Sequence, residues 1–151
     1  MPKLSHALNR LLIFGGALLL GALLHRLWPL HVLPSSQHIR IGIIVAGLGV
    51  ALLVWAVTFM LRLGASPNPY RPSEALITTG PFGFSRNPIY LAFLLVYAGL
   101  ALLVNVLWLL ILLPVVMLAL QAMIIAEEER DLAARFGDAY AQYRRKVRRW
   151  L

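Results

Sequence analysis

Residues 88–126 read PIYLAFLLVYAGLALLVNVLWLLILLPVVMLALQAMIIA, an apolar run that Asn105 interrupts near its middle. A helix needs about 20 apolar residues to cross a bilayer, so this run is long enough for two crossings. We therefore predict spans at about residues 88–104 and 106–126. Because Asn105 leaves almost no room for a loop, the two spans must form a tight antiparallel hairpin. Pro114 lies inside the second span, where it removes a backbone donor and should disturb the helix.

Two further apolar runs precede the hairpin, at about residues 8–27 and 39–63. Hydrophobic residues make up 60% of the chain and charged residues only 13%, and the mean hydropathy is +0.78. This composition is far too apolar for a soluble domain and indicates an integral membrane protein. The 151 residues leave room for four transmembrane helices, one loop and one tail. We predict an all-α fold with a single membrane domain over residues 1–151.

The basic residues are divided unequally between the two sides of such a bundle. With four spans, the N-terminus, the loop at residues 64–87 and the C-terminal tail share one side. Of the 14 Lys and Arg residues, all but Arg26 and Arg40 fall on that side. By the positive-inside rule we expect both termini to be cytoplasmic, in a protein of the cell inner membrane. The net charge of +8 then favours membrane lipids, and not nucleic acid, as the partner of the basic tail.

Polar residues flank the hairpin on the predicted cytoplasmic side. The segment GPFGFSRNPIY, residues 80–90, leads into the first of its two spans, and Glu127, Glu128 and Glu129 follow the second. Because the open ends of an antiparallel hairpin meet, residues about 40 positions apart come together at this mouth. We therefore predict a site at the membrane surface, formed by the region from about residue 76 to residue 151.

The C-terminal tail has the pattern of an amphipathic helix. Apolar and aromatic residues recur every three or four positions among the arginines, at Leu132, Phe136, Tyr140, Tyr143 and Val147. Such a segment is expected to lie on the membrane and to break at Gly137. The pattern alone is typical of a surface anchor, but its position directly after three glutamates favours a lid over a site.

Several motifs follow one another in the second half of the chain. Arg-Asn-Pro-Ile-Tyr at residues 86–90 is followed by the apolar hairpin, by Glu128-Glu129 and by Val-Arg-Arg-Trp-Leu at residues 147–151. This series resembles the isoprenylcysteine carboxyl methyltransferase and phospholipid methyltransferase superfamily, whose members carry an Arg-His-Pro-x-Tyr motif, a hydrophobic hairpin and a paired glutamate. The resemblance begins at Leu76 and covers about half of the chain. Asn87 stands where the eukaryotic enzymes have histidine, and asparagine cannot shuttle a proton near neutral pH.

The resemblance implies an S-adenosylmethionine-dependent methyltransferase of a lipid-like or amphiphilic acceptor, similar to isoprenylcysteine carboxyl methyltransferase. Methyl transfer from a sulfonium needs positioning and a dry site more than acid–base machinery, and a pocket at the membrane mouth supplies both. The implied catalytic residues are Arg86, Asn87 and Glu128. The implied cofactor-binding residues are Gly80, Pro81, Arg86, Asn87, Pro88, Tyr90, Glu128, Glu129, Tyr140 and Tyr143.

The chemistry of the cofactor suggests how these side chains would divide the work. Carboxylates at Glu128 and Glu129 suit its amino group and ribose hydroxyls, and Arg86 suits its carboxylate or that of an acidic substrate. Aromatic faces would attract the sulfonium at Tyr90, Tyr140 or Tyr143. Consecutive helical residues point about 100° apart, so only one of the two glutamates should reach the cofactor, while the other binds Arg86 or the tail.

Each motif also has a purely structural interpretation. Asn87 and Pro88 form an ordinary helix N-cap followed by proline at the first helical position, which would leave Arg86 to extend towards headgroups. The glutamates would then be solvated charges beside the tail arginines. The four histidines do not pair with carboxylates at metal-ligand spacing, so we expect no metal. At the level of function, the alternatives are a phospholipid amine N-methyltransferase and a noncatalytic scaffold that retains the fold.

Overall fold

A computed structural model describes residues 2–34, 36–64 and 75–151, with side chains from residue 7 onward. In these ranges the protein is all-α and contains no strand, as predicted. A 3-10 turn (Gly80–Gly83) precedes the hairpin, and a π-turn (Gln121–Ile125) lies after its second helix. The helices are α1 (Pro2–Leu27), α2 (Gln37–Arg62), α3 (Pro88–Leu103), α4 (Leu107–Leu120) and α5 (Ala126–Lys146).

Three stretches of helix are long and apolar enough to cross a membrane, namely Ala7–Leu27, Gln37–Arg62 and Leu107–Lys146. The fourth apolar helix, α3, has 16 residues. At 1.5 Å per residue it is about 24 Å long, which is shorter than a hydrocarbon core of about 30 Å. Three of the four predicted spans therefore have sufficient length. The last of them does not end near Ala126 but continues as α5.

Helices α2 and α3 pack closely because small residues face each other. A Cβ atom on Gly49 would lie 2.8 Å from the backbone nitrogen of Val96, and one on Gly42 would lie 2.8 Å from the backbone nitrogen of Leu103. Such close approach lets helices associate in lipid, where apolar burial gives little drive. Gly42 and Gly49 thus allow α2 and α3 to approach each other closely. Gly47 of the same helix has no such neighbour within 4 Å.

At the closed end of the hairpin, Asn105 joins α3 and α4 to the loop between α1 and α2. Its φ of 55° turns the chain, which confirms the predicted tight turn. Its Oδ1 accepts hydrogen bonds from the backbone nitrogens of Val32 (2.9 Å) and Leu33 (3.0 Å), and its Nδ2 donates to the Leu33 carbonyl (2.9 Å). The indole of Trp108 adds a bond to the Trp28 carbonyl at 2.8 Å. We call these contacts the far clasp.

The irregular part of the last helical stretch is the π-turn, not Pro114. Helix α4 runs through Pro114, and the backbone hydrogen-bond pattern changes only at Gln121–Ile125. A π-turn inserts one residue into the helical register and rotates everything that follows. It therefore sets the direction in which the glutamates of α5 point.

The chain reverses at Gly137, where the sequence predicted a break. Gly137 has φ 49° and ψ −120°, a conformation that glycine adopts far more readily than other residues. In a continuous helix Glu129 and Arg149 would be about 30 Å apart. Their side chains instead form an ion pair with a closest distance of 2.6 Å. The second half of α5 and the tail after it therefore fold back over the open end of the hairpin.

Candidate active site

The 3-10 turn delivers the chain to the start of α3. Gly80 has φ 61°, and a side chain there would collide with the ring of Phe59 on α2. Two residues later the chain contacts α5, where the Phe82 carbonyl accepts a hydrogen bond from the Tyr143 hydroxyl at 2.7 Å. Pro81 and Pro88 are fully buried in this segment. The tight packing fixes the position of the residues that follow.

Three charged side chains form the centre of the site. Glu129, 8% exposed, receives two hydrogen bonds from Arg149, from Nε to Oε1 at 3.0 Å and from Nη2 to Oε2 at 2.6 Å. The Nη1 atom of Arg86 lies 3.3 Å from Glu129 Oε1, and the Arg86 side chain is 9% exposed. The cluster thus holds two guanidinium charges against one carboxylate. We call it the charge cluster.

Arg86 is only partly satisfied within this cluster. Its Nη1 also donates to the Tyr140 hydroxyl at 3.4 Å. Its Nε is buried and has no hydrogen-bond partner among the described residues. An unpaired buried donor on a charged group is costly, so it identifies a point where an acceptor would be stabilised.

Two tyrosines of the second half of α5 lie beside the charge cluster. Tyr140 and Tyr143 are buried, and their rings lie 6.2 Å apart. Burial raises the pKa of Tyr143 to about 12. Burial and the charge of Glu129 also raise the pKa of Tyr140. Both phenols are therefore neutral near pH 7 and can donate hydrogen bonds.

Asn87 begins α3 but does not cap it with its side chain. The structure gives no side-chain cap hydrogen bond there. The Asn87 Nδ2 instead donates to the Arg149 carbonyl at 3.0 Å, and its backbone nitrogen donates to Ser85 Oγ at 3.1 Å. Arg86 does not extend to headgroups either, because Glu129 holds it inside. Asn87 is thus the N-cap residue and Pro88 the first helical residue, as in the purely structural interpretation, but the side chains of Asn87 and Arg86 bind the tail and Glu129.

Glu128 lies beside the charge cluster in a separate pair. The Tyr90 hydroxyl donates to Glu128 Oε1 at 2.6 Å, which links the start of α3 to the start of α5. Glu128 is half-buried, whereas Glu129 is buried. The two glutamates thus point to different partners, as their helical spacing predicted. Glu129 binds both Arg86 and the tail, and this leaves Glu128 as the more accessible carboxylate.

The geometry of these motifs agrees with a comparison to known families. A family model described as phospholipid methyltransferase matches residues 37–139. The chain belongs to the phospholipid methyltransferase family. No curated protein and no solved structure matches it. Membership of this family, with the long apolar helices, identifies an integral membrane methyltransferase that acts on lipid-like substrates. The superfamily resemblance seen in the sequence is confirmed.

The phospholipid methyltransferase match includes most of the predicted site. Arg86, Asn87, Tyr90, Glu128 and Glu129 all fall within residues 37–139. The structure brings them together at the open end of the hairpin, next to two predicted residues just beyond the match, Tyr140 and Tyr143. The predicted residues Gly80, Pro81 and Pro88 serve packing in the same segment.

Sequence reasoning did not assign roles to Arg149 and Arg10. Arg149 was one of many tail arginines, and only the reversal at Gly137 shows which of them returns to Glu129. Arg10 of α1 interacts electrostatically with the Tyr90 hydroxyl. It lies one turn before Phe14, whose ring packs against Phe93 at 6.1 Å. A basic residue in the first half of α1 gave no signal beyond the positive-inside rule.

Within the described parts of the chain, no group of three or more His, Cys, Asp or Glu side chains is placed to hold a metal ion. The rings of His25 and His31 lie 5.3 Å apart at the end of the bundle opposite the charge cluster.

Proposed function

We propose that this phospholipid methyltransferase family member transfers a methyl group from S-adenosylmethionine to an acceptor with a lipid-like tail, in the manner of isoprenylcysteine carboxyl methyltransferase. The observation that carries the proposal is the buried charge cluster of Arg86, Glu129 and Arg149, set beside the Tyr90–Glu128 pair at the open end of an apolar hairpin. Four charged groups held at that place have no role in anchoring a bundle to lipid. They suit the recognition of a polar cofactor at a membrane surface.

The donors and acceptors of the site fit the polar groups of S-adenosylmethionine. The buried, unpartnered Nε of Arg86 is a donor for a carboxylate. Glu128 offers an acceptor for an amino group or a ribose hydroxyl. Buried phenols at Tyr140 and Tyr143 add aromatic faces, which favour a cationic sulfonium. We assign the cofactor to these residues, with Gly80, Pro81, Asn87 and Pro88 shaping the segment that contacts it.

When bound, S-adenosylmethionine supplies a methyl group on a positively charged sulfur. The residues of this chain contribute alignment and exclusion of water, and these are the main requirements of an in-line displacement. Arg86 would align the reactants because Glu129 and Tyr140 hold its guanidinium. Asn87 would act by holding the tail over the site. Tyr90 fixes the orientation of Glu128.

The acceptor atom could be a carboxylate oxygen or a phospholipid amine nitrogen, and the two reactions differ in their need for a base. A carboxylate acceptor needs no base, because it is already deprotonated at neutral pH. A phospholipid amine is protonated at neutral pH and must first lose a proton, so that its lone pair can form the new N–C bond as the S–C bond of the sulfonium breaks, and Glu128 is the carboxylate placed to accept that proton. The phospholipid methyltransferase match is compatible with both alternatives. Asn87 offers no general base in either case.

We further propose that all four apolar helices cross the inner membrane and that the charge cluster faces the cytoplasm. Lys and Arg are concentrated on that side, and the cofactor is supplied there. The sequence has no cysteine, so single cysteines at His31 and Ala75 can be labelled in intact cells with an impermeant reagent. Labelling of His31→Cys but not Ala75→Cys is expected. The opposite result would reverse the orientation. Residues 31 and 75 are chosen for the labels because the more central loop positions Ser35, Arg71 and Ser73 lie outside the described residues.

The acceptor is proposed to enter sideways from the bilayer. Apolar side chains surround the entrance to α3, and Phe84 among them is 40% exposed and stacks on Trp55 with ring centroids 6.0 Å apart. Polar substitutions at Phe82, Phe84 or Leu91 should raise the KM for the acceptor and leave cofactor affinity nearly unchanged. Arg86→Ala should lower kcat as well, since it disturbs alignment of the reacting atoms.

Two measurements test the function. Mass spectrometry of small molecules that copurify with the protein should find S-adenosylmethionine or its demethylated product. Calorimetry should then show that Glu128→Ala/Glu129→Ala loses cofactor affinity, while the exposed Asp131→Ala, one turn away, does not. Equal affinity in all three proteins would remove the glutamates from the site.

Methyl transfer itself is measured with tritiated cofactor, by comparing membrane lipid extracts with pools of water-soluble metabolites. Label in the lipid fraction is expected. Label only in small hydrophilic products would exclude lateral entry but not the methyltransferase activity. No binding and no transfer with any extract would favour the noncatalytic scaffold.

A further inference from the structure

Arg149 makes the most direct contact between the tail and the rest of the site. It lies ten residues beyond the last residue, 139, that the family model matches. Its side chain is 31% exposed, and it covers a carboxylate that is 10% exposed. The hydrogen bonds to Glu129 raise the pKa of Arg149, so its guanidinium stays protonated. This contact requires the reversal at Gly137.

The two hydrogen bonds from Arg149 fix the plane of the Glu129 carboxylate. A guanidinium presents parallel N–H donors that match both carboxylate oxygens, which a lysine ammonium cannot do. Arg86 touches only one oxygen, at 3.3 Å. Without Arg149 the carboxylate would be free to rotate about that single contact. The position of the Arg86 guanidinium therefore depends on Arg149 through Glu129.

The backbone around Arg149 holds the Arg86 segment from the other side. The Arg148 carbonyl accepts a hydrogen bond from the backbone nitrogen of Arg86 at 3.0 Å. The Arg149 carbonyl accepts one from Asn87 Nδ2 at 3.0 Å and one from Ser85 Oγ at 3.4 Å. The tail, the start of α3 and the start of α5 thus form a closed ring of contacts. The Arg149–Glu129 pair closes this ring.

We propose that Arg149 is a positioning residue for methyl transfer, which aligns Arg86 and Glu128 by fixing Glu129 and the segment at residues 85–87. This inference rests on the proposed function. It extends the working site beyond residue 139, the last residue that the family model matches, and gives a named side chain of the tail a role in it. Arg149 acts through Glu129 and the backbone and need not touch the substrate.

The test compares Arg149→Ala and Arg149→Lys with Arg145→Ala, which removes an exposed arginine four residues earlier. Misalignment by about 1 Å can reduce a rate about 100-fold, so we expect a loss of that order in kcat for Arg149→Ala and a smaller loss in acceptor affinity. Arg149→Lys should lie between, because it keeps the charge without the paired donors. Arg145→Ala should retain wild-type kcat.

A double-mutant cycle with Glu129→Gln separates positioning from general stability. If Arg149 acts through Glu129, replacing Arg149 in the Glu129→Gln background should add little further loss in kcat. Guanidinium ion added to Arg149→Ala should restore part of the rate, which a globally damaged protein would not show. Should Arg149→Ala fail to fold, Arg149→Lys and its cycle with Glu129→Gln give the same information.

The outcomes distinguish the two proposals. Wild-type protein that neither binds the cofactor nor transfers methyl groups would refute the proposed function and, with it, the inference. Active wild-type protein with an Arg149→Ala variant equal to Arg145→Ala would overturn the inference alone. Full additivity in the cycle, without rescue by guanidinium, would also overturn it.

Discussion

Replacing Gly137 with alanine tests whether the tail is held over the site by its contacts or merely allowed there by a flexible residue. Alanine strongly disfavours φ 49° and ψ −120°, and holding a non-glycine residue in such a conformation costs about 1–3 kcal/mol. Alanine also favours a continuous helix by about 1 kcal/mol over glycine. Both effects would straighten α5 and carry Arg149 away from Glu129.

The contacts of the folded-back tail oppose that change. Each net hydrogen bond contributes about 1 kcal/mol, and bonds to charged groups about 1.5–3 kcal/mol. Straightening would break the paired bonds between Arg149 and Glu129, the Asn87 bond and the Tyr143 bond. It would also expose the buried Tyr140 ring. Because these losses exceed the strain, Gly137→Ala should stay folded back and lose about 2–3 kcal/mol of stability.

Nitroxide labels on the exposed residues Arg130 and Arg148 measure the reversal directly. In a straight helix they would be about 27 Å apart at 1.5 Å per residue. We expect a much shorter distance in both wild type and Gly137→Ala, together with a lower detergent-unfolding midpoint in the variant. A population at about 27 Å that dominates in Gly137→Ala would refute the reasoning, since the contacts would then be weaker than the strain. If Gly137→Ala is as stable as the wild type, residue 137 does not have the φ of 49° and ψ of −120° on which the expected loss rests.

Substitutions at three further positions address other contacts. Asn87→Asp should loosen the tail more than Asn87→Ala, because it places a carboxylate against the Arg149 carbonyl; protease cleavage of the tail in both variants checks this. Because the folded-state pKa of Tyr143 is about 12, above an unfolded value of about 10, its contribution to stability is full below pH 10 and disappears as the pH rises towards 12. Unfolding curves of Tyr143→Phe should therefore depend less on pH in that range. Asn105→Ala should lose about 3 kcal/mol of stability with the three bonds of the far clasp, and the cofactor Kd of the folded fraction should rise because the far clasp sets the register of α3 along α4.

The apolar pattern predicted the helices well because it states directly which residues can face lipid. The hairpin turn at Asn105 and the break at Gly137 could also be predicted, because each depends on one residue and its neighbours in the sequence. It could not identify the π-turn at Gln121–Ile125, because an inserted residue in a uniformly apolar helix leaves no mark in composition. The extension of the last span into α5 was missed because the charges after Ala126 suggested an end of the helix.

Some contacts of the candidate site could likewise be predicted from the sequence, and others could not. The Arg86–Tyr90 motif and the glutamates could be paired from topology, because an antiparallel hairpin brings its two ends together. The partner of Glu129 within the tail could not be predicted, since Arg144, Arg145, Arg148 and Arg149 are chemically equivalent in the sequence. Only the angle of the reversal at Gly137 and the docking of Val147 select Arg149.

The far clasp and the charge cluster depend on each other through the length of the hairpin. Apolar faces gain little free energy from packing together when the alternative is lipid, so hydrophobic burial does not fix how far α3 slides along α4. Polar contacts at the two ends can fix it. Asn105 sets the register at one end, and 16 residues of α3 carry that register to Arg86 and Tyr90 at the other. The distance between the Tyr90 hydroxyl and the Glu128 carboxylate is thus determined by the far clasp at one end of the bundle and by the charge cluster at the other. Close packing of α3 on Gly42 and Gly49 keeps this distance from varying.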